Sequence, residues 1–298
     1  MPVIGFVILS HSNPHQLLRL VRTLGRMFGN PPVVCHHDLH QSPLDFAQFP
    51  RFCRFVQPAI GTRWAHISVV QAAMAAMNKL VGESDPDWIV LLSGADYPVQ
   101  PARDILSDLE NTDADAFLDY IEAAPWGRKK CSGNSISGSP KWGQRAYDRY
   151  VSQLLFEYPS LTKRLRPTKR VLIIRNRLVA RILTPFGPNF RCFGGDHWFT
   201  VNRRAASALI EGVPLLIQYY EPKFVPEESI YHTVLCNRRD LRIHPDNKRY
   251  TDWAGSSAHP RVLEACDLAA IRRSGAHFAR KFNADSPALG ILDAECGA

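Results

Sequence analysis

The chain opens with an unbroken apolar run, Val3 to Leu9, which stops at Ser10-His11-Ser12. A run of that length without alternation is what a strand covered on both faces requires. Asn13 and Pro14 follow, a capping side chain and a residue preset for the first helical turn. Leu17, Leu18, Val21, Leu24 and Phe28 recur at helical spacing, so the first unit is strand then helix. Pro31-Pro32 break the chain, and Val33-Val34-Cys35 reads as a second strand running into His36-His37-Asp38. Phe52 to Val56 reads as a third. Residues 66–81 are rich in Ala and Met and helical in pattern. Trp88 to Leu92 is another buried strand, ending in Ser93-Gly94-Ala95-Asp96-Tyr97-Pro98. Pro101 opens a helix and Ala116 to Tyr120 a strand. This alternation predicts an α/β fold with a mostly parallel central sheet flanked by helices.

The pattern is less regular beyond residue 120. Residues 122–145 are loop-like, Ala205 to Ile210 is helical, and Pro226 opens a helix through Glu227 to Leu235. No repeat or linker forces a boundary, so 1–298 is expected to be one domain.

Composition narrows the class. The chain has 298 residues, 45% hydrophobic and 21% charged, which excludes disordered, collagenous and coiled-coil proteins. The 36 Lys and Arg against 28 Asp and Glu leave a net +8. One segment matches that surplus. Residues 163–181 carry Lys163, Arg164, Arg166, Lys169, Arg170, Arg175, Arg177 and Arg181 with no acid. No aromatic side chain interrupts it, which argues against nucleic acid, whose readers stack bases. An anionic membrane surface suits it better, and a non-catalytic peripheral binding protein is the rival reading. No stretch approaches the roughly 18 apolar residues that span a bilayer. The run from Val3 is too short, and lacks the basic flank, for a signal peptide. Seven scattered cysteines without a Cys-x-x-Cys pair suggest reduced thiols. The expected location is cytoplasmic, with docking on the inner membrane face left open.

Chemistry is expected beyond the carboxyl ends of the strands. No Gly-x-Gly-x-x-Gly follows the first strand, and there is no P-loop and no Gly-x-Ser-x-Gly elbow. Neighbouring strand residues face opposite ways, so His36 to His40 is unsuited to converge on a metal, and one or two of its histidines are expected to face solvent. Asp38 is better placed to accept hydrogen bonds from a base or ribose. Two Asp-x-Asp triplets, at 85–87 and 113–115, both sit away from a strand's carboxyl end. The strand end at 93–96 offers one carboxylate, Asp96. A diphosphate held here would need protein cations, with Arg261, Arg280 and Lys281 as candidates. Glu227 and Glu228 have two open readings: carboxylates stabilised by a helix N-terminus, or a general base. Trp253 either stacks on a sugar or packs in the core.

Several motifs share an order with a known family. They are Ser10-His11 with Asn13-Pro14, His36-His37-Asp38, Arg63-Trp64, Leu91 to Pro98, Gly195-Asp196-His197-Trp198-Phe199 with Asn202-Arg203-Arg204, Pro226 to Leu235, Arg249 to Trp253, and Phe278-Ala279-Arg280-Lys281-Phe282. Together, over about residues 3–285, they resemble the core-2/I-branching β-1,6-N-acetylglucosaminyltransferase family, which also contains peptide O-xylosyltransferases. The resemblance implies a GT-A-like fold, with 1–120 as the nucleotide-binding half and 121–298 as the acceptor and catalytic half. It implies inverting transfer of GlcNAc or xylose from a UDP-sugar to a glycan, lipid-linked or protein hydroxyl, with no metal cofactor. Glu228 falls on the family's base and Lys281 on its diphosphate-binding lysine. Arg261 is the nearest match to a companion arginine, and Asp38 falls on the acid that contacts uridine. Ser10, His11 and Arg280 complete the expected UDP-sugar set. Trp253 falls on the acceptor-side tryptophan, with Asp96 and Glu227 expected beside it. The stretch around 122–190 matches nothing in the family.

Overall fold

The computed structural model describes residues 1–124, 140–152, 154–158, 170–174, 184–254 and 259–296. The first predicted unit is present as β1 (Ile4–Ser10) and α1 (Pro14–Phe28). The Asn13 side chain accepts from Gln16 N, and Gly29 closes the helix in the left-handed conformation at φ 67°. Next come β2 (Val33–His37), β3 (Cys53–Phe55), α2 (Ile67–Glu83), β4 (Trp88–Ser93), a short β5 (Tyr97–Pro98) and α3 (Ala102–Asn111). The second half adds β6 (Ala116–Leu118), β7 (Ile121–Glu122), α4 (Pro140–Ala146), and the hairpin of β8 (Leu154–Tyr158) with β9 (Arg170–Ile174). It continues with β10 (Phe193–Gly194), β11 (Phe199–Asn202), α5 (Arg203–Tyr220), α6 (Ile230–Cys236) and β12 (Ile243–His244). The chain ends with β13 (Arg249–Thr251), α7 (Leu268–Arg273), β14 (Phe278–Arg280) and α8 (Pro287–Cys296).

Seven strands form the central sheet in the order β12-β6-β11-β4-β1-β2-β3. Strands from both sides of residue 120 share it. β1 pairs parallel with β2 and β4, β2 with β3, and β12 with β6. β11 runs against both β4 and β6. The reversal has a consequence for the site. A reversed strand starts where its neighbours end, so the residues just before β11 lie at the carboxyl edge of the sheet.

Alternating residues feed two cores. Val7 and Leu91 face the layer of α2, α5 and α6. Phe6, Ile8, Val90 and Leu92 face the layer of α1, α3, α7 and α8. A second sheet, β13-β14-β5, lies beside the end of β4. The last helix is bolted there. Asp293 accepts from Tyr97 Oη at 2.6 Å, Thr23 Oγ1 at 2.9 Å and Arg19 Nη2 at 2.8 Å.

One helix reading extends and another changes. The helix read at Ala205 to Ile210 runs much further, through Pro214. The helix read at Glu227 to Leu235 is a 3-10 turn over Pro226–Glu228 and then α6, with Ser229 between. Ser229 is held out of helical register by tertiary partners: its Oγ donates to Phe193 O at 2.6 Å and meets Tyr220 Oη at 2.8 Å. Of the basic stretch 163–181, only β9 is described; the rest lies outside the described residues. Among the described residues no helix is long and apolar enough to cross a membrane, and six cysteines are free thiols.

Candidate active site

The carboxyl edge of the sheet gathers most of the expected residues. Ser10 ends β1 opposite His37, and its backbone oxygen accepts from Asp38 N at 2.9 Å. His36 and His37 are buried, and His40 is the histidine of that run that faces solvent. His37 Nδ1 meets Ser10 Oγ at 3.1 Å and its Nε2 meets Ser42 O at 2.9 Å. His36 Nε2 accepts from Ile60 N at 3.0 Å. Both rings are thus occupied in tying loops to the sheet. His11 is exposed.

Asp38 is fully buried and accepts four hydrogen bonds. They come from His40 N at 3.0 Å, Gln41 Nε2 at 2.7 Å, and Thr62 N and Oγ1, both at 2.7 Å. Burial opposes its ionisation, but these donors hold its carboxyl well below the usual range. Asp38 therefore anchors the loop that carries Thr62, Arg63 and Trp64.

At the end of β4, Asp96 is wholly buried. Its Oδ1 accepts from Ser93 Oγ and from Arg280 Nε at 3.0 Å, while Oδ2 has no partner among the described residues. The Arg280 guanidinium lies 4.4 Å from the centroid of the Trp198 ring, a cation–π contact. Pairing of β14 with β5 and β13 puts Arg280 here, and Phe282 N donates to Ala95 O at 3.1 Å, so Lys281 lies beside the same turn. Leu263 N donates to Lys281 O at 2.8 Å, which draws in the segment of Arg261. Arg261 is spent locally. Its Nε meets Asp252 Oδ2 at 2.7 Å and its Nη1 meets Asp267 Oδ2 at 2.9 Å. Lys281 has no carboxylate partner among the described residues, unlike Arg261 and Arg280. Trp253 follows Asp252 and is half-buried.

Glu228 lies at the end of its 3-10 turn. Gly195 N donates to Glu228 O at 2.9 Å, fixing the turn to the start of the reversed strand. A Cβ on Gly195 would lie 1.9 Å from Asp119 O, so only glycine permits this approach. Glu228 Oε2 accepts from Arg149 Nη1 at 2.8 Å. Burial pushes the Glu228 carboxyl up to about 7, Arg149 opposes this, and Asp196 adds to it. Burial therefore outweighs any helix-end stabilisation, and does so before substrate arrives. Glu227 is also raised to about 7 by burial, with Glu228 adding to it, and its Oε2 has no partner among the described residues.

Sequence reasoning missed three members of this site. Asp119 ends the β6 segment and Asp196 precedes β11, so both reach the carboxyl edge. Asp196 is raised to about 6 by burial, with Arg280 opposing and Asp119 and Asp96 adding to it. The strand-end rule was enough to find Asp119, and Asp196 stands within a quoted motif. Arg149 had no such signal. It lies far from Glu228 in sequence, within the segment that matched nothing. The outcome is a high-pKa carboxylate, Glu228, within the electrostatic reach of Asp196, which in turn feels Arg280.

The sequence profile named Branch: Core-2/I-Branching enzyme matches residues 6–271. Beta-glucuronosyltransferase GlcAT14B of Arabidopsis thaliana is 26% identical over 98% of this chain and 65% of its own length. Xylosyltransferase 1 of Homo sapiens is 24% identical over 97% of this chain and 30% of its own length. The chain thus spans less than two thirds of either relative. The crystal structure of S. aureus TarS 1-349 in complex with UDP-GlcNAc overlaps 60% of this chain and 47% of its own at 12% identity and a TM-score of 0.25. The seven-stranded mixed sheet flanked by helices is the GT-A-like architecture that the resemblance implied. With most of its length matched by one profile, the chain belongs to the Core-2/I-Branching enzyme family of glycosyltransferases.

Proposed function

We propose that the protein is an inverting, metal-independent glycosyltransferase that uses a UDP-sugar. The observation that carries this reading is Glu228, a carboxyl raised to about 7 by burial and bonded to Arg149. Glu228 takes the proton of an acceptor hydroxyl. The freed oxygen forms a bond to the anomeric carbon while the opposite bond to the diphosphate oxygen breaks, and UDP leaves with the electron pair. A carboxylate with a pKa near the operating pH suits proton removal. Lys281, which has no carboxylate partner among the described residues, offsets the charge that develops on the departing diphosphate. Arg261 supports the segment beside Lys281 by clamping Asp252 and Asp267. The metal-independent part rests on Asp96, whose charge is already matched by Arg280.

The donor sugar is proposed to be GlcNAc or xylose, with glucuronic acid added by the names of the relatives. The acceptor is a hydroxyl of a glycan, lipid-linked or protein substrate. A thermal-shift panel with UDP-GlcNAc, UDP-xylose, UDP-glucuronic acid and GDP-mannose, all in excess EDTA, tests this. A ligand at 100 times its Kd stabilises by about 2.7 kcal/mol, so a cognate uridine nucleotide raises Tm by a few degrees. Silence to every uridine nucleotide refutes the reading. Activity that EDTA removes and manganese restores refutes its metal-independent part.

A further inference from the structure

We propose that Trp64 and Phe224 form a carbohydrate platform that holds the acceptor glycan beside Glu228; this rests on the transferase reading above. Trp64 is 62% exposed and Phe224 49% exposed. Their rings meet edge to face, with centroids 5.3 Å apart and planes at 82°. Large aromatics carry more apolar area than any other side chains, and these two, with the His259 ring 6.1 Å from Trp64, form an exposed apolar surface of the kind that marks binding sites.

The platform is built from two directions and cross-linked beneath. Ala65, after Trp64, has φ 60°, and Val225, after Phe224, has φ 55°. A β-branched residue is an outlier in that region, and such strain gathers at ligand sites. Val225 N donates to Ala65 O at 3.1 Å, joining the two strained residues directly. On one side Asp38 holds the Trp64 loop through Thr62. On the other, Tyr150 Oη donates to Val225 O at 2.6 Å.

The position selects the occupant. The Arg149 guanidinium carbon lies 5.7 Å from the Phe224 ring centroid, and its Nη1 lies 2.8 Å from Glu228 Oε2. A ligand on the two rings is one side chain from the proposed base. A pyranose in the gluco or galacto configuration presents a face of C–H bonds, which stacks on aromatic rings, and an edge of hydroxyls. Seated here, its hydroxyl edge is directed to Arg149 and Glu228.

Saturation-transfer NMR with cellobiose and lactose at millimolar concentration, without nucleotide, tests the platform independently of turnover. Transfer to the ring C–H protons is expected in the wild type. It falls about tenfold in Trp64→Ala and in Phe224→Ala, and is largely retained in Trp64→Phe. Both side chains are exposed, so equal Tm values in the variants identify the loss as one of binding. In turnover with 4-nitrophenyl β-galactoside, acceptor KM rises about tenfold in the alanine variants, while kcat and donor KM hold. Failure of the transferase reading shows instead as absent uridine nucleotide binding, with sugar signals unaffected. Equal sugar signals in wild type and variants overturn the platform, as does no signal in the wild type. A dimer lost in Trp64→Ala with sugar signals unchanged also overturns it, in favour of an interface between copies.

Discussion

Replacing Arg149 by methionine removes the guanidinium that faces Glu228, and with it the cation–π contacts to Trp142 and Phe224, while keeping an unbranched side chain. Glu228 must be ionised to accept a proton, so activity climbs as pH rises through its pKa, which burial sets at about 7. The guanidinium stabilises the ionised form, and its loss moves the limb to higher pH. At 2.8 Å the bare attraction is about 6 kcal/mol at an effective dielectric near 20. Solvent screens much of that, because the two side chains are 27% and 28% exposed. A charge-assisted hydrogen bond in such a setting contributes about 1.5–3 kcal/mol. That is about 1–2 pH units. A profile of kcat/KM from pH 5 to 10 reads it directly. The limb of the methionine variant moves from about 7 to between about 8 and 9, with the alkaline plateau kept within a few-fold. A folded variant whose limb stays in place, or moves to lower pH, refutes the assignment of Glu228 and of its partner.

Other expectations follow from the same surroundings. Glu227 keeps a proton in the folded chain up to about 7, where an unfolded carboxyl of ordinary value 4.5 has lost it. Its contribution to stability is full below 4.5 and is lost as pH rises to about 7. The loss is on the order of 3 kcal/mol. In urea unfolding at pH 5 and pH 8, Glu227→Gln narrows the stability gap by about this amount, with the shares of Glu228 and Asp196 remaining; an unchanged gap contradicts the burial account. Gly195→Ala drives a Cβ against Asp119 O and, at 2.7 Å, against His232 Nε2. Overpacking against fixed backbone costs about 1–3 kcal/mol, and a 1.9 Å approach lies at the upper end. Wild-type stability in that variant argues against the close approach.

The first 120 residues were legible because each local signal agreed with the fold. The unbroken run before Ser10, the Asn13 cap and the apolar spacing of α1 report one βα unit without help from distant residues. Reversal of β11 left no local mark, since a short buried strand has the same pattern in either direction. Ser229 breaks the Glu227 to Leu235 stretch through bonds to Phe193 and Tyr220, and such partners are invisible to helical periodicity. Glu228, Arg280 and Lys281 were found through motif order. Arg149 was not, because its meaning depends on a contact between distant segments. Asp38 was read as a strand-end acceptor for a base or ribose; its burial and the four protein donors it meets, in the loops after β2 and before α2, left no local mark.

The central claim, that Glu228 is the general base, is tested most directly by Glu228→Gln. The donor is the UDP-sugar that gives the largest thermal shift, and 4-nitrophenyl β-galactoside is the acceptor. Glutamine keeps the size of the side chain and can still meet Arg149 through its amide oxygen, but it cannot take a proton. Transfer falls by about a thousandfold while calorimetric UDP binding stays within about twofold of wild type. Transfer within tenfold of wild type, with UDP still bound, contradicts the account.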